Sequence, residues 1–282
     1  MENSLSPPAH LSVAIVLYSS SVDLLRGTLN SLFRSVERAR LDGVLSSAQV
    51  HVVDNTLCPD YAERVRHLLS ECPGSEGYRL VYCAADSNDG FGGGNNRVMP
   101  SLTSDAHLIL NPDVELAEST LSIALTRLQQ DTSIALLSPY VSGDDGRQEY
   151  LCKRYPSVFV LLLRAFAPDV IHKLFRTRLH HYEMRDVCSG SEEVDVMLAS
   201  GCFMLVRTEM LLAVSGFDER YFLYFEDFDL SLRLGRLGRL VFHPAVKIVH
   251  HGGYAASKGL KHVGLFMRSG IRFFADHGWR WI

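Results

Sequence analysis

Apolar runs alternate with segments of helical periodicity along the first half of the chain. Four apolar runs have the length of buried strands and span residues 11–18, 49–55, 79–83 and 106–110. Between and after them, apolar residues spaced three or four positions apart predict helices over 22–39, 61–69 and 116–128. This alternation predicts an α/β fold in which helices cover both faces of a mostly parallel central sheet.

The second half of the chain carries the same patterns more sparsely. Strand or helical spacing recurs at residues 227–237, 246–249 and 260–274. Residues 150–194 match no motif, and within them an apolar stretch at 161–166 precedes a basic stretch with aromatic residues at 172–181. This order is typical either of a segment that rests on a membrane surface or of a buried helix followed by a solvated basic loop.

Composition limits the class of protein. The 282 residues, 47% of them hydrophobic, can fill one large α/β domain or two small ones. A net charge of -4 gives no reason to expect a nucleic-acid partner. The first ten residues lack a basic-then-apolar run, and the longest apolar run, 158–163, ends at Arg164, so neither a secretory signal nor a membrane span is expected. Six scattered cysteines without a C-x-x-C pair favour reduced thiols and a cytoplasmic location.

Polar residues follow the predicted strands, at the sheet edge where open α/β folds bind ligands. The four strand ends carry Tyr18-Ser19, Asp54-Asn55, Asp86-Ser87-Asn88 and Asn111-Pro112-Asp113. Asp54 can serve a ligand or form a turn with Asn55. Asp113 can bind a metal or cap the next helix. Because Ser119 is the nearer cap of that helix, Asp113 is left free for chemistry.

Residues 88–96, Asn-Asp-Gly-Phe-Gly-Gly-Gly-Asn-Asn, form the most unusual segment. Four glycines within five positions allow the backbone to approach a ligand closely, and they are equally compatible with a flexible linker. The spacing misses the third glycine of a dinucleotide fingerprint, and no P-loop lysine follows. The neighbouring carboxylates and the paired asparagines favour a loop that faces a ligand.

Residues 216–230 place carboxylates among aromatic rings, which is unusual for either a core or a surface segment. A strict Asp-x-Asp occurs there at Asp227 and Asp229. Residues two apart on a helix point away from each other, so the two cannot share one ion if the helix begins by Asp227. Asp229 lies four residues before Arg233 and is expected to pair with it, which leaves Asp227 to face the site.

Several motifs in a fixed order carry a resemblance to a known family. They are Val52-Val53-Asp54-Asn55, Asn88-x-Gly90-Phe91-Gly92-x-Gly94-Asn95-Asn96, Leu110-Asn111-Pro112-Asp113, Gly216-Phe217-Asp218-Glu219, Phe222-x-Tyr224-x-Glu226-Asp227-x-Asp229-Leu230 and His250-His251-Gly252-Gly253. From about residue 11 to 253 the chain resembles the family 2 glycosyltransferases, most of all their bacterial rhamnosyltransferase-like branch, which builds O-antigen, lipopolysaccharide core and other cell-surface glycans. The resemblance implies a Rossmann-like GT-A fold, a nucleotide-diphosphate sugar donor, a divalent metal and inversion at the anomeric carbon.

The resemblance assigns roles to the acidic residues. Asp113 stands at the last position of the family's D-x-D element, with Asn111 at the first, and is implied to bind Mg²⁺ or Mn²⁺, cations that favour carboxylates. His250 is the candidate second ligand, although a strand-end histidine can also be structural. Asp227 is implied to be the general base for the acceptor hydroxyl, with Glu226 orienting Asp227 or the acceptor.

Donor binding is implied for the strand-end polar residues. Asp54 resembles the aspartate that binds the pyrimidine base. The other expected donor contacts are Tyr18, Ser19, Asp86, Asn88, Gly90, Phe91, Asn95, Asn96 and Asn111. The first expectation for the donor is dTDP-L-rhamnose, and a UDP-sugar is the second.

Two functions of a different class compete with sugar transfer. A nucleotidyltransferase would also use an α/β sheet, glycines and metal-bound carboxylates, but no basic residue lies inside the glycine-rich segment to take a triphosphate, and Arg97 lies just beyond it. A non-catalytic sugar-binding module would not need both Asp113 and Asp227. Both functions are therefore less favoured than sugar transfer.

The expected organisation has four parts. They are a tail at 1–10, a nucleotide-sugar half at 11–115, an acceptor-binding and catalytic half at 116–259 with an insertion at 150–194, and a carboxyl-terminal helix at 260–282. The acceptor is expected to be a glycan or a lipid-linked glycan. Residues 161–181 could then meet the inner face of the cytoplasmic membrane, where such an acceptor is presented.

Overall fold

The computed structural model describes residues 7–72, 74, 77–252 and 260–282. The strands are β1 Ala9–Leu17, β2 Leu45–Asp54, β3 Tyr78–Ala84, β4 Ala106–Leu110, β5 Val114–Leu116, β6 Ile134–Ser142, β7 Gln148–Glu149, β8 Val194–Asp195, β9 Phe203–Arg207 and β10 Arg239–His250. The helices are α1 Val22–Leu41, α2 Pro59–Glu71, α3 Gly90–Asn96, α4 Thr120–Gln130, α5 Val158–Phe166, α6 Asp169–Leu174, α7 Arg176–Tyr182, α8 Arg185–Cys188, α9 Thr208–Ala213, α10 Glu226–Leu234 and α11 Leu260–His277.

The strands form one sheet in the order β3-β2-β1-β4-β9-β6-β10-β5, with β7 paired to β6 and β8 to β10. The long pairings of β1 with β2 and β4, of β2 with β3 and of β6 with β10 are parallel. Strand β9 enters antiparallel between β4 and β6. The predicted α/β fold with a mostly parallel sheet is therefore confirmed.

Strand β1 shows why helices cover both faces. Its side chains alternate between two buried clusters, because successive residues of a strand point to opposite faces. Val13 and Ile15 join the cluster under α1, α2 and α4, whereas Ala14 and Val16 join the cluster under α10. A strand covered on both sides reads as a continuous apolar run, which is the pattern that predicted it.

Residues 90–96 are a helix, so the expectation of a loop is wrong. Gly90 has φ +76°, and a Cβ there would lie 2.0 Å from the carbonyl oxygen of Phe222. A Cβ on Gly94 would lie 2.7 Å from Val16 Cγ1 of β1. These glycines permit close packing of α3 between the sheet and residues 217–222, and packing overrides the poor helix propensity of glycine.

Two other boundaries differ from expectation. The helix expected at 116–128 is preceded by strand β5 and begins at Thr120. Ser119 stands at its cap position but its side chain makes no capping hydrogen bond. Asp113 therefore precedes a strand, and a capping role for it is excluded. The insertion at 150–194 contains the four short helices α5 to α8.

A third apolar cluster joins the carboxyl-terminal helix to the acidic and aromatic segment. Tyr221 and Phe225 are buried against Phe273 and Phe274 of α11, and α5 packs against the same cluster. This packing confirms the amphipathic closing helix expected at 260–274. No helix within the described ranges is long and apolar enough to cross a membrane.

Candidate active site

The carboxyl ends of β1, β2 and β3 lie side by side, with Leu17 paired to Asp54 and Asp54 to Ala84. The Asp54 side chain is buried. Its Oδ1 accepts the Thr56 backbone N–H at 2.9 Å, so Asp54 does form the strand-end turn, and its Oδ2 accepts the Tyr82 hydroxyl at 2.8 Å. Burial and the neighbouring Asp54 carboxylate raise the pKa of Tyr82 to about 12, so Tyr82 remains a donor at neutral pH.

Tyr18 and Ser19 extend this edge beyond β1. The Tyr18 side chain is 63% exposed, which makes it available to a ligand. Ser19 has φ +51°, and its N–H donates to Thr56 Oγ1 at 2.9 Å. Residues 18, 19 and 54 are thus brought together, as the sequence predicted, while their contact with a donor stays a prediction.

The polar residues around α3 make mostly internal contacts. Asn88 Oδ1 accepts the Gly90 N–H at 3.1 Å. Asp86 and Asp89 both pair with Arg97, and the Asp86 pair is 2.8 Å long. Because its guanidinium is neutralised by two carboxylates, Arg97 does not supply the free cation that a triphosphate needs.

The remaining α3 residues pack against the acidic and aromatic segment. Asn95 Nδ2 donates to the Phe91 carbonyl, while its buried Oδ1 has no partner. Asn96 Nδ2 donates to the Phe217 carbonyl at 2.8 Å and to Glu219 Oε1 at 3.0 Å. The Phe91 ring meets the Phe217 ring edge-on at 5.7 Å. These contacts give all three side chains a structural task, and their donor contacts stay predictions.

Asp113 and His250 meet where β5 and β10 pair, with His250 opposite Val114. His250 Nε2 lies 3.7 Å from Asp113 Oδ1, and its Nδ1 lies 3.1 Å from Glu149 Oε2. The His251 N–H donates to the Asp113 carbonyl at 2.9 Å. The fold thus brings together the two residues named as metal ligands, and Asn111 joins the same edge through its N–H bond to the Cys202 carbonyl.

The surroundings of Asp113 fit a divalent cation. Among the described residues, Asp113 Oδ1 is buried without a hydrogen-bond partner, and a Cβ on Gly252 would lie 2.1 Å from Asp113 Oδ2, so only glycine leaves the carboxylate its place. No group of three or more His, Cys, Asp or Glu side chains stands at metal-binding spacing in the part of the chain that the structure describes. A cation there would take two protein ligands and complete its shell with phosphate oxygens and water, as Mg²⁺ commonly does. The motif's last residue, Gly253, lies outside the described residues.

Glu226 and Asp227 open helix α10 after two residues with left-handed backbone, Tyr224 at φ +70° and Phe225 at φ +66°. Asp227 Oδ2 accepts the Gly201 N–H at 3.1 Å and Oδ1 accepts the Phe228 N–H at 2.9 Å. Burial raises the pKa of Asp227 despite these two bonds. Burial, followed by the Asp227 charge, raises the pKa of Glu226, whose Oε2 has no hydrogen-bond partner among the described residues.

Residues 201 and 202 link the two acidic positions, because the Gly201 N–H donates to Asp227 Oδ2 and the Cys202 carbonyl accepts the Asn111 N–H, two residues before Asp113. Burial raises the pKa of the Cys202 thiol to about 12, and both carboxylates add to this rise. Lys153 also acts on this region, because its charge opposes the rise in the Asp227 pKa. Lys153 is buried, its Nζ donates to the Tyr150 carbonyl, and burial lowers its own pKa to about 8.

Asp229 takes no part in this region, as predicted. Arg233 Nε donates to Asp229 Oδ2 at 2.7 Å, and His277 Nε2 lies 2.7 Å from Asp229 Oδ1. Asp229 is buried, so the pair is structural and joins α10 to α11. The two carboxylates of the strict Asp-x-Asp therefore have different partners: backbone N–H groups for Asp227 and the Arg233 side chain for Asp229.

Three of the six aromatic rings of residues 216–230 are buried and so cannot line a surface for the acceptor. Phe217, Tyr221 and Phe225 are buried, and Phe222 is exposed. Among the neighbouring acids, Asp218 pairs with Arg220 at 2.5 Å and Glu219 binds Asn96, so both shape the loop.

Sequence reasoning missed Glu149 and Lys153. Glu149 reaches His250 because β7 folds back on β6, which neighbours β10, and no local pattern reveals that proximity. Lys153 is held in place by backbone hydrogen bonds with Leu198 in both directions. Of the two residues, only Lys153 had a local sequence signal, because this lysine directly follows a cysteine, Cys152, that the structure shows to be buried.

Comparison with known proteins agrees with this geometry. A family model described as glycosyl transferase family 2 matches residues 12–211. The N-acetylglucosaminyl-diphospho-decaprenol L-rhamnosyltransferase of Mycobacterium tuberculosis is 28% identical over 208 residues, which cover 68% of this chain and 66% of the relative. Rhamnosyltransferase WbbL of Escherichia coli K12 is 27% identical over 172 residues, which cover 57% of this chain and 61% of the relative. The match thus spans slightly less than two thirds of these relatives.

Solved structures share the fold at low identity. GalNAc-T7 with UDP, GalNAc and Mn²⁺ superposes with a TM-score of 0.66 at 13% identity, covering 98% of this chain and 48% of that one. The mannosyltransferase PcManGT of Pyrobaculum calidifontis, with GDP-Man and Mn²⁺, gives 0.59 at 15% identity, covering 98% and 79%. The sheet topology is accordingly that of the GT-A fold. Since the family model covers most of the chain and its motifs converge on one sheet edge, this protein is a member of glycosyl transferase family 2.

Proposed function

We propose that this protein transfers a sugar from a nucleotide-diphosphate donor to a hydroxyl of a growing cell-surface glycan, such as O-antigen or lipopolysaccharide core, with inversion at the anomeric carbon. The observation that carries the proposal is that residues 201 and 202 hydrogen-bond both to Asp227, whose pKa burial raises, and to Asn111, two residues before Asp113 and its oxygen without a partner among the described residues. Two relatives named as rhamnosyltransferases make dTDP-L-rhamnose the first donor to test.

Asp227 acts as the general base in this proposal. A carboxylate whose pKa is raised toward neutrality accepts a proton more readily than an ordinary surface aspartate. The acceptor hydroxyl gives its proton to Asp227 as its oxygen bonds to the anomeric carbon. The bond between that carbon and the diphosphate breaks on the opposite side, and the nucleoside diphosphate leaves. The backbone N–H groups of Gly201 and Phe228 hold the carboxylate in position throughout.

Asp113 and His250 would hold Mg²⁺ or Mn²⁺. When bound, the cation would offset the negative charge that develops on the diphosphate leaving group. Glu149 contacts His250 Nδ1 and so directs Nε2 toward Asp113, an arrangement that often orients metal-binding histidines. Manganese in the two related folds supports this part of the proposal.

The donor nucleotide would lie over the ends of β1 and β2. In this proposal Asp54 would meet the base and the exposed Tyr18 ring would cover it, with Ser19, Asp86 and Asn88 at the rim. Asp54 already accepts two hydrogen bonds, and a carboxylate can accept about four, so capacity for a base remains. The mycobacterial relative is named for an acceptor joined through a diphosphate to decaprenol, and a lipid-linked glycan at the inner membrane face is the acceptor class proposed here.

Purified protein with Mn²⁺ should be screened against dTDP-, UDP- and GDP-sugars for thermal stabilisation and slow donor hydrolysis. We expect one donor to stabilise the protein and to be hydrolysed. Asp54→Ala should weaken donor binding, whereas Asp227→Asn should bind the donor and fail to transfer the sugar. Release of pyrophosphate from nucleoside triphosphates would indicate a nucleotidyltransferase, and donor binding without turnover of any acceptor would indicate a binding module; either result would overturn the proposal.

A further inference from the structure

One surface of the protein is unusually apolar. Val263, Met267 and Ile271 are 42%, 44% and 54% exposed and lie four residues apart, hence on one side of α11. Leu162 of α5 and the residues Trp279, Trp281 and Ile282 after α11 add further exposed apolar side chains. We call this surface the α5–α11 face.

The α5–α11 face contains a groove with almost entirely apolar walls. Leu161 and Leu162 of α5 line one side, and Met267 and Ile271 of α11 line the other. The Trp279 ring closes the groove, stacked 5.2 Å from Phe274 and 5.3 Å from the Trp281 ring. Trp281 and Ile282 are 65% and 72% exposed, so the apolar surface continues past the groove to the end of the chain.

Several lysine and arginine side chains of α6, α7 and α11 have no carboxylate partner among the described residues. On α11, Arg268 and Arg272 each follow an exposed apolar residue directly, and on α6 Lys173 precedes Leu174, which is 74% exposed. Arg176 and Arg178 lie on α7, which contacts α5 through residues outside the groove, with Arg178 over the Phe159 ring at 5.4 Å. None of these five cations has an ion pair with any residue that the structure describes, although many other arginines here do.

We propose that the α5–α11 face is the surface on which this protein rests on an anionic lipid bilayer. Exposed Trp rings suit the headgroup level, apolar side chains enter the acyl boundary, and lysine and arginine are attracted to anionic headgroups. A second copy of the chain fits less well. A symmetric dimer would bring the face against itself and oppose its own unpartnered cations.

Helix α11 packs against residues 223–225, which directly precede Glu226 and Asp227. The Phe225 ring packs on Phe273 of α11 at 5.3 Å, and Ser269 Oγ donates to the Leu223 carbonyl at 2.8 Å. Because Ser269 and Phe273 lie on the side of α11 opposite Met267 and Ile271, seating α11 on a bilayer places Glu226 and Asp227 across the helix from the lipid, one helix diameter or ~10 Å away. The position of Glu226 and Asp227 relative to the lipid rests on the proposed function, because it matters only if the acceptor is carried by lipid. The contact between the face and the bilayer does not depend on the proposed function.

Co-sedimentation with vesicles tests the proposal. Full-length protein should bind phosphatidylglycerol-rich vesicles and bind pure phosphatidylcholine vesicles weakly. Met267→Gln with Ile271→Gln, and separately Arg268→Gln with Arg272→Gln, should each weaken partitioning about tenfold, since each pair removes two membrane contacts. Leu41→Gln and Arg34→Gln on α1 are the matched controls and should bind as the wild type does.

The proposal would be overturned if the wild type did not bind the vesicles, or if the control variants lost as much binding as the face variants. If the wild type instead formed a dimer in light scattering that Ile271→Gln disperses, and did not bind vesicles, the face would be an interface between two copies of the chain. Circular dichroism and thermal melting should confirm that each variant folds. Donor hydrolysis in detergent-free solution separates this proposal from the proposed function. The face variants should hydrolyse donor normally, whereas failure of the wild type to hydrolyse any donor would count against the proposed activity alone.

Discussion

Identical side chains have different roles here according to their immediate partners. Asp227 and Asp229 stand two residues apart on α10. Asp227 accepts two backbone N–H groups and has no ion pair with any residue that the structure describes, so its charge remains available. Asp229 is neutralised by Arg233 and contacts His277. A motif search on the Asp-x-Asp alone would assign both to one ion, and helix geometry is what separates them.

Replacing each of these aspartates by asparagine should separate chemistry from stability. Asp227→Asn should lower sugar transfer by about 10²–10⁴-fold with the melting temperature nearly unchanged or raised, because a general base is lost and a buried charge removed. Asp229→Asn should destabilise the fold by roughly 1–3 kcal/mol, because Arg233 loses its buried partner. Transfer assays and thermal melts on both variants are the measurement. Normal transfer by Asp227→Asn would refute the base assignment.

Glu226 should make stability depend on pH. Its folded pKa is raised above the usual glutamate value by burial, so the folded state resists its ionisation. The stabilising contribution is present below the unfolded pKa and is lost as pH rises through the folded pKa. Wild-type protein should therefore lose stability relative to Glu226→Gln as pH rises above the ordinary glutamate range. Denaturant melts of both proteins from the ordinary glutamate pKa up to the folded pKa of about 8 test this prediction, and parallel stability curves would contradict it.

Glu149 should tune metal affinity without touching the metal. Glu149→Gln should weaken Mn²⁺ binding about tenfold, because the carboxylate that orients His250 is lost. The control is Asp145→Asn in the same hairpin, an exposed carboxylate that pairs only with Arg147 among the described residues. Electron paramagnetic resonance of Mn²⁺ with UDP or dTDP present reports the affinity directly. Unchanged affinity in Glu149→Gln would remove Glu149 from the metal site.

At the scale of elements, α3 shows where local propensity fails. Its four glycines argue against a helix. The segment is nevertheless helical, because β1 on one side and residues 217–222 on the other approach so closely that only glycines fit between them. Strand β1 could be predicted, because burial on both faces needs no information beyond an apolar run. Helix α1 could be predicted too, since its apolar spacing is continuous and Ser21 caps it through a bond from the Leu24 N–H.

Alanine at two helical glycines should have opposite effects. Gly94→Ala should destabilise the protein by roughly 1–3 kcal/mol, because the new Cβ would press on Val16. Gly264→Ala in α11 should stabilise it by about 0.5–1 kcal/mol, because nothing lies within 4 Å of the new Cβ and alanine is the better helix former. Chemical denaturation measures both values. Equal effects at the two sites would contradict the packing role of α3.

At the scale of the whole molecule, proximity across long chain separations limits what sequence can reveal. The order of strands brings residues 149 and 113 to the two different ring nitrogens of His250, and neither distance follows from periodicity. The strand-end rule nevertheless located the edge at which Asp54 and Asp113 lie. The expected halves, 11–115 and 116–259, share one uninterrupted sheet, so their separate roles stay a prediction.

The left-handed turn at Tyr224 and Phe225 has a consequence for the order in which the protein matures. Such a conformation costs on the order of 1–3 kcal/mol per non-glycine residue and persists only where packing compensates for it. Here the compensating rings, Phe266 and Phe273, belong to α11, which the ribosome makes after every strand of the sheet. The nascent chain can therefore complete the strand ends at Tyr18 and Asp54 first and acquire a correctly placed Asp227 only when α11 docks. Under the proposed function, donor binding would then precede competence for transfer.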